Sequence, residues 1–273
     1  MSLWTVGQDG GVAVAVYRHP PMNYFCADGA RELAALIEQW KAPAVRAVVL
    51  TGNNPGRFIT HYSVEELEAF AADRAALRAA GTMLTDNYHA MLLGLRSLPK
   101  PVIVGMNGDT MGGGFELSLA CDIRVGQRGD FRYGLPESKL GILPGGSGTQ
   151  RLTRLLGAGR AIEFILRGRA VKPDVALAMG LVHELADDAA ARAREIGAEV
   201  ARLPPVALAQ IKRAVYEGAD LSLAEGLKVE SEAFLQTMLS EDALTAMRAY
   251  VATPLEKRRD FIDHPPPRDY AGR

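Results

Sequence analysis

Two glutamates and a run of three glycines are the residues of this 273-residue chain whose types and spacing could do chemistry. The glycines at 112–114 follow a strand-like segment and open an apolar helix that carries Glu116. Glu137 follows Gly-Leu-Pro and comes just before a second glycine-rich stretch, 141–149. A carboxyl group in apolar surroundings has a raised pKa and can serve as an acid or a base. Two such groups could hold a water between them and deliver it across a double bond.

The glycine run could also hold a polarised or anionic group. Adjacent glycines let a ligand approach the backbone closely, and the first turn of a helix presents free N–H groups. Such a place suits a phosphate or a developing oxyanion. The same pattern is typical of a tight strand-to-helix junction that binds nothing, and a lone glutamate is commonly solvated or a helix cap. The residues alone leave both interpretations open.

Several common motifs are absent from the chain. The run at 112–114 lacks G-x-G-x-x-G spacing, and the stretch 141–149 has no lysine where a phosphate-binding P-loop needs one. Ser147 is not in a G-x-S-x-G elbow, because Thr149 occupies the position of the last glycine. Two cysteines are too few for a disulfide framework or a thiolate zinc site. The sequence therefore argues against a nucleoside triphosphatase, a serine hydrolase and a zinc site made of thiolates.

Composition excludes further classes. The chain is 48% hydrophobic and 23% charged, which is typical of a globular protein rather than a disordered one. Its 31 basic and 32 acidic residues give a net charge of −1, so no global basic field is present to hold nucleic acid or an anionic membrane. The apolar runs are too short to span a bilayer, and the first residues do not resemble a signal peptide. With only two cysteines, we expect the reducing cytoplasm.

The elements that must position these residues alternate along the chain. Short apolar runs predict strands near 12–16, 45–50, 101–104, 122–125 and 181–185, and helical spacing predicts helices over 30–40, 64–80 and 83–95. This alternation favours an α/β fold with largely parallel strand pairing. Beyond about residue 144 helical spacing dominates, which indicates a core with a helical extension. The segment 264–267 is expected to be irregular and exposed.

Two blocks of sequence together resemble the signature of the enoyl-CoA hydratase/isomerase (crotonase) superfamily. They are 112–123, with GGGFEL and ACDI, and 133–152, with YGLPESKLGILPGGSGTQRL. The segments 44–52, 100–108 and 204–212 are also similar to the family. The resemblance implies an α/β fold of ββα units that spiral into a core, assigned to residues 1–200. It also implies a C-terminal helical trimerisation region, 201–273, and a homotrimer or a hexamer.

The same resemblance implies that the ligand is an acyl-CoA thioester. Its carbonyl would accept hydrogen bonds from the N–H groups of Tyr62 and Gly113, and the Thr60 carbonyl would lie at the adenine ring. Lys257 would lie near the CoA phosphates, although a solvated helix end explains it equally well. The implied substrate and CoA contacts are Thr60, Tyr62, Ser63, Val64, Gly113 and Lys257.

The catalytic pair implied by the resemblance is Glu116 and Glu137. Glu137 would deliver a proton to the α-carbon, and Glu116 would activate the water that attacks the β-carbon. The implied reaction is syn hydration of a trans-2-enoyl-CoA to a 3-hydroxyacyl-CoA, with no metal and no cofactor apart from the CoA of the substrate. The alternatives are an enoyl-CoA isomerase, an acyl-CoA thioester hydrolase, and a non-catalytic or RNA-binding homologue.

One loop departs from the usual family pattern. Residues 60–63 read Thr-His-Tyr-Ser where the family has a sequence like Ala-Gly-Ala-Asp. Tyr62 still supplies an N–H, but its bulk could reshape the acyl pocket, and His61 is either a further acid/base group or, as we favour, an ordinary loop residue. The helical spacing of Tyr88, Met91, Leu92 and Leu95 favours packing in the core over lining the acyl pocket.

Overall fold

A computed structural model describes residues 2–265 and 270–273 of the chain, and the central strands of its larger sheet are apolar runs rich in β-branched residues. The strands are β1 (Trp4–Asp9), β2 (Val12–Tyr17), β3 (Ala47–Gly52), β4 (Gly56–Arg57), β5 (Val102–Met106), β6 (Gly108–Met111), β7 (Ile123–Gln127), β8 (Tyr133–Gly134), β9 (Ala170–Val171) and β10 (Glu184–Ala186). The helices are α1 (Ala27–Gln39), α2 (Val64–Ala72), α3 (Arg74–Ala80), α4 (Asp86–Ser97), α5 (Gly112–Ala120), α6 (Gly148–Leu156), α7 (Ala158–Leu166), α8 (Pro173–Ala178), α9 (Ala189–Val200), α10 (Pro205–Gly218), α11 (Leu223–Leu239), α12 (Glu241–Ala252) and α13 (Arg258–Asp263).

The larger sheet has six strands in the order β1-β2-β3-β5-β7-β10. The five strands from β2 to β10 are parallel, and β1 pairs antiparallel with β2 at the edge. The five strands expected from the sequence are all present, with ends shifted by a few residues, and they belong to this sheet. The parallel pairing is confirmed. The edge strand β1 was not expected, because its residues after Trp4 are mostly exposed and polar.

One expected helix is divided in two. The helix predicted over 64–80 ends at Ala72 and begins again at Arg74. Asp73 separates the halves, and its side chain accepts a hydrogen bond from the Ala76 N–H, as a helix N-cap does. The helix predicted from residue 83 begins at Asp86, after a 3₁₀ turn over Gly81–Thr85.

A smaller sheet carries the chain into the candidate site. Its order is β4-β6-β8-β9, and its strands have two to four residues each. Gly108 opens β6 with φ +154°, and a Cβ there would overlap the Gly56 backbone of β4. The glycine therefore permits the close approach of these two strands. β6 ends at Met111 and α5 begins at the next residue, so the small sheet sets where α5 starts.

Helices cover both faces of the larger sheet. On one face α9 packs its small and branched side chains against Val49, Ile103 and Val125. On the other face lie α1, α4 and α5, which bury residues such as Leu33, Leu92 and Phe115. A parallel sheet buried on both sides explains why its strands read as continuous apolar runs. All nine residues of α5 are buried, so Glu116 enters the core with its helix.

The C-terminal helices leave much of their apolar surface exposed. Lys212 of α10 ties this region to the core, since its Nζ donates to the Leu95 and Lys100 carbonyl oxygens and lies 2.8 Å from Asp122 Oδ2. Contiguous exposed apolar surface is typical of interaction sites. The large exposed apolar residues from α10 to α13 are Ile211, Val215, Leu221, Leu223, Leu227, Phe234, Leu235, Met238, Leu239, Leu244, Met247, Val251, Leu255 and Ile262.

Three further sequence predictions concern the C-terminal tail, the division of the chain and membrane crossing. In the expected irregular tail, His264 and Pro265 are exposed and not helical, while Pro266 and Pro267 lie outside the described residues. The division of the chain at residue 200 stays a prediction. Over 2–265 and 270–273, no helix combines the length and the apolar character that crossing a membrane requires.

Candidate active site

Helix α6 begins at Gly148, next to the carboxylate of Glu116. The Glu116 side chain lies in the apolar interior with only 3% of its surface exposed. Its Oε1 accepts a hydrogen bond of 2.7 Å from the N–H of Gly148, the first residue of α6. The first N–H groups of a helix have no partner within it and lie at the positive end of its dipole. This contact therefore fixes the carboxylate and favours its ionised form.

Two glycines of the second glycine-rich stretch, Gly146 and Gly148, lie against the Glu116 carboxylate. A Cβ on Gly148 would lie 2.8 Å from Glu116 Oε1, and one on Gly146 would lie 2.5 Å from Oε2. The Gly146 Cβ would also overlap the ring of Tyr88. Only glycine can occupy these positions without moving the carboxylate. The spacing of these glycines, which matches neither a nucleotide-binding nor a hydrolase motif, did not reveal this role.

Glu137 is the second buried carboxyl group near the start of α5. It begins a 3₁₀ turn, Glu137–Leu140, and is 8% exposed. A Cβ on Gly112 would lie 3.1 Å from its Oε1, so the carboxyl group lies against the first residue of α5. Its Oε2 is buried and has no hydrogen-bond partner within the described part of the chain. A buried carboxyl oxygen without a partner favours the protonated group and is available to a ligand.

Burial controls the titration of this pair. It raises the pKa of Glu116 to about 8, with the neighbouring charge of Glu137 as a further cause and the Gly148 N–H acting in the opposite direction. Burial also raises the pKa of Glu137 to about 7. The two carboxyl groups interact, so their protons belong to the pair rather than to either residue. Near neutral pH the pair can hold one proton.

The raised pKa of Glu116 should lower stability at alkaline pH. In the unfolded chain the group titrates near 4.5 and in the folded protein near 8, so the free energy of unfolding falls as the pH rises between these values. Glutamine keeps the acceptor for Gly148 and cannot ionise. We expect Glu116→Gln to stabilise the protein by on the order of 4–5 kcal/mol near pH 8.5 and by much less near pH 5, measured by thermal unfolding at both values.

Glu163→Gln is the control for that measurement. The Glu163 carboxylate is solvated, and hydrogen bonds from Arg167 and Arg169 lower its pKa, so its replacement should give no alkaline gain. Equal effects of Glu116→Gln at the two pH values would contradict the assigned burial of the Glu116 charge.

Two backbone N–H groups beside the carboxyl pair have no acceptor among residues 2–265 and 270–273. One belongs to Gly113, in the first turn of α5, and the other to Tyr62. A Cβ on Gly113 would lie 3.5 Å from the Tyr62 nitrogen, so the two residues are neighbours. The flanking residues of Tyr62 bond to Phe25, through His61 O at 2.8 Å and Ser63 N at 2.7 Å. Because N–H directions alternate along an extended chain, the Tyr62 N–H lies on the opposite side from Phe25. The arrangement can donate two hydrogen bonds to one oxyanion.

Aromatic side chains enclose these donors. The ring centroids of Tyr62 and Tyr88 are 5.8 Å apart at an interplanar angle of 89°, and Phe25 contacts both rings. The Tyr88 hydroxyl donates a hydrogen bond of 2.8 Å to the Gly113 carbonyl oxygen. Tyr88 packs against the core, as its helical spacing predicts, but its hydroxyl also reaches the candidate site. Helical spacing gives the buried face of α4 but not what that face contacts.

The other predicted ligand contacts divide into two groups. The Thr60 carbonyl oxygen accepts the Met111 N–H at 2.9 Å, and Ser63 caps α2, which begins at Val64. These residues are contiguous with Tyr62, and Thr60 is bonded to the residue that precedes α5. Lys257 is exposed and makes no hydrogen bond or ion pair with them in the described structure. Within one chain, the fold does not bring Lys257 to the carboxyl pair.

His61 and Cys121 have local structural partners. The His61 ring stacks on Tyr24 with centroids 4.2 Å apart, and its Nδ1 lies 2.6 Å from the Tyr62 carbonyl oxygen. Cys121 is fully buried, and burial raises the pKa of its thiol to about 12. Over the described ranges, no group of three His, Cys, Asp or Glu side chains is arranged to hold a metal ion.

The chain is similar to known proteins over nearly its whole length. The family model for enoyl-CoA hydratase/isomerase matches residues 7–263. The short-chain-enoyl-CoA hydratase of Clostridium acetobutylicum is 33% identical over 256 residues, which are 92% of this chain and 94% of that protein. Two solved enoyl-CoA hydratase structures are similar in fold. That from Geobacillus kaustophilus has a TM-score of 0.87 at 28% identity and covers 100% of this chain and 97% of its own. That from Bacillus anthracis has a TM-score of 0.86 at 29% identity, with coverages of 99% and 100%. The chain belongs to the enoyl-CoA hydratase/isomerase family and has its crotonase fold.

Proposed function

We propose that this protein hydrates a trans-2-enoyl-CoA to a 3-hydroxyacyl-CoA. The observation that carries the proposal is the pair of buried carboxyl groups of Glu116 and Glu137 beside two backbone N–H groups that have no acceptor among the described residues. A double-bond shift needs one proton acceptor that returns the proton, whereas addition of water needs one group to take a proton and another to give one. Two carboxyl groups at one site therefore support hydration.

The proposed reaction begins with the thioester carbonyl oxygen at the N–H groups of Tyr62 and Gly113. Glu116 takes a proton from water as the water oxygen bonds to the β-carbon. The electrons of the double bond move toward the carbonyl, and the two N–H groups stabilise the resulting enolate oxygen. Glu137 then gives its proton to the α-carbon. The substrate has gained one water, and the pair regains its starting state when one proton passes from Glu116 to Glu137.

Hydrogen bonds support this division of roles. The Gly148 N–H favours an ionised Glu116, which is the state that a base needs. Glu137 Oε2 has no partner in the described part of the chain, which favours a protonated carboxyl group, the state that an acid needs. The two pKa values are close enough for one proton to be shared, so we assign its place from these contacts rather than from the order of the values.

Crotonyl-CoA is the first substrate to test, since the Clostridium acetobutylicum relative is named for short-chain enoyl-CoA. We expect the absorbance of the conjugated thioester to fall as the substrate is hydrated. We expect the same activity in buffer that contains a chelator. The active form holds one proton on the pair, so kcat/KM should fall below about pH 7, where the pair holds two protons, and above about pH 8, where it holds none.

Two outcomes would contradict the proposal. Purified protein that hydrates no enoyl-CoA of any chain length would exclude hydratase function, and release of free CoA would instead indicate a thioester hydrolase. Rates should be measured only where the protein stays folded, so thermal unfolding at each pH is the control for the profile.

We also propose the assembly and compartment expected from the sequence. The exposed apolar residues of α10 to α13 support a homotrimer or a hexamer in which these helices pack between copies. Lys257 would then approach the CoA phosphates of a neighbouring copy. Light scattering that gives the mass of a monomer at micromolar concentration would contradict this assembly. The cytoplasmic compartment stays a prediction from the cysteine content.

A further inference from the structure

The Tyr88 side chain contacts both the residues that carry the two N–H donors and the backbone beside Glu116. It lies in the first turn of α4 and is half-buried. Its hydroxyl reaches Gly113, its ring packs edge-to-face on Tyr62, and the ring also lies against Gly146. Neither the spacing of α4 nor the roles of the carboxyl pair account for this set of contacts.

The hydroxyl contact bears on the oxyanion site. Gly113 supplies one of the two N–H donors, and as a glycine with glycine neighbours it has little side-chain packing to fix its backbone. The hydrogen bond from Tyr88 to the Gly113 carbonyl oxygen, 2.8 Å long, supplies a fixed point from outside the helix. Burial raises the pKa of the Tyr88 phenol well above 10, so the hydroxyl remains a donor throughout the working pH range.

The ring contacts bear on the other donor and on the base. The Tyr62 ring meets the Tyr88 ring at 89°, which is the edge-to-face geometry that aromatic pairs favour. The Tyr62 backbone carries the second N–H donor. On its other side the Tyr88 ring is in contact with Gly146, whose backbone borders Glu116 Oε2. A shift of Tyr88 would therefore displace the Tyr62 and Gly113 N–H groups and the Gly146 backbone beside Glu116.

From these contacts we propose that Tyr88 is a positioning residue of the oxyanion site, which fixes the Tyr62 and Gly113 N–H groups relative to Glu116. This proposal rests on the proposed function. Tyr88 acts through its neighbours and takes no part in proton transfer. Its contribution is geometric, because small errors in the placement of donors are costly to a reaction that depends on preorganisation.

The test replaces Tyr88 by phenylalanine, which keeps the ring and removes the hydroxyl. We expect kcat for crotonyl-CoA hydration to fall about tenfold, a fraction of the loss that removal of an oxyanion donor causes, with KM changed less than about twofold. Butyryl-CoA labelled with ¹³C at its carbonyl reports the donors directly. The downshift of its carbonyl stretch on binding should be smaller in Tyr88→Phe than in the unchanged protein, because the hydrogen bonds to the carbonyl are weaker.

Tyr216→Phe is the matched control. Tyr216 is also half-buried, and its hydroxyl also donates one hydrogen bond of 2.8 Å, to Asp122 Oδ1, in the C-terminal helical region. This variant should lose comparable thermal stability with the same kcat and the same carbonyl downshift as the unchanged protein.

The outcomes separate the two proposals. Hydratase activity in the unchanged protein, with an unaltered kcat and carbonyl downshift in Tyr88→Phe, would overturn the role of Tyr88 and leave the hydratase proposal intact. Unchanged protein that neither hydrates crotonyl-CoA nor shifts the butyryl-CoA carbonyl would overturn both.

Discussion

Glu137→Gln is expected to reduce kcat for crotonyl-CoA hydration by about 1,000-fold, within the range that a positioned acid or base contributes. The amide keeps the shape of the carboxyl group but has no acidic proton to give to the α-carbon. The Glu137 side chain is buried at the start of α5, and within the described residues its Oε2 has no hydrogen-bond partner that already exchanges a proton with it. Steady-state rates with crotonyl-CoA measure the loss, and circular dichroism checks the fold.

Glu116→Gln should cause a loss of the same order, because glutamine cannot take a proton from water. Residues that act as a unit are strongly non-additive, so the double variant should be no slower than about the slower single variant. Glu163→Gln, which replaces a solvated carboxylate, is the control and should retain the rate of the unchanged protein. If only one of the two catalytic variants loses activity, the result would favour an isomerase, which shifts a double bond with a single carboxyl group.

The candidate carboxyl pair could be found from the sequence because each glutamate is part of a contiguous motif. Glu116 follows the glycine run within four residues, and Glu137 precedes the second glycine-rich stretch. The parallel α/β core could also be predicted from the sequence, since strands buried on both faces are apolar throughout. In both cases the signal lies within a short segment of chain.

The contacts that tune the site could not be found in that way. The bond from Gly148 to Glu116 joins residues 32 apart, and the bond from Tyr88 to Gly113 joins residues 25 apart. Helical spacing shows that Tyr88 lies on a buried face, but it cannot show which backbone atom its hydroxyl meets. One local signal was available for Gly148. Glycine-rich turns that lead into a helix present free N–H groups, and a buried carboxylate needs such donors.

Gly113→Ala should reduce kcat about 100-fold, the loss that follows removal of one oxyanion donor. The new Cβ would lie 3.0 Å from the Tyr62 Cβ and 3.2 Å from the Tyr88 hydroxyl oxygen, closer than ordinary contacts. Both neighbours belong to the oxyanion site, so the strain is relieved by moving the donors themselves. The variant should remain folded, because alanine is favoured over glycine in a helix by about 1 kcal/mol, which offsets part of the strain. Steady-state kinetics and thermal unfolding measure the two effects separately.

Gly94→Ala separates the helix effect from the effect on the donors. Gly94 lies within α4, and a Cβ there would meet Ile37 at 3.4 and 3.7 Å, which is ordinary van der Waals contact. We expect equal or higher stability and an unchanged kcat. Full activity in Gly113→Ala would contradict the placement of the thioester oxygen at Gly113. Because Gly113 and Tyr88 are in contact, the losses in Gly113→Ala and Tyr88→Phe should not add when the two changes are combined. Additive losses would mean that Tyr88 acts on a step other than stabilisation of the enolate oxygen.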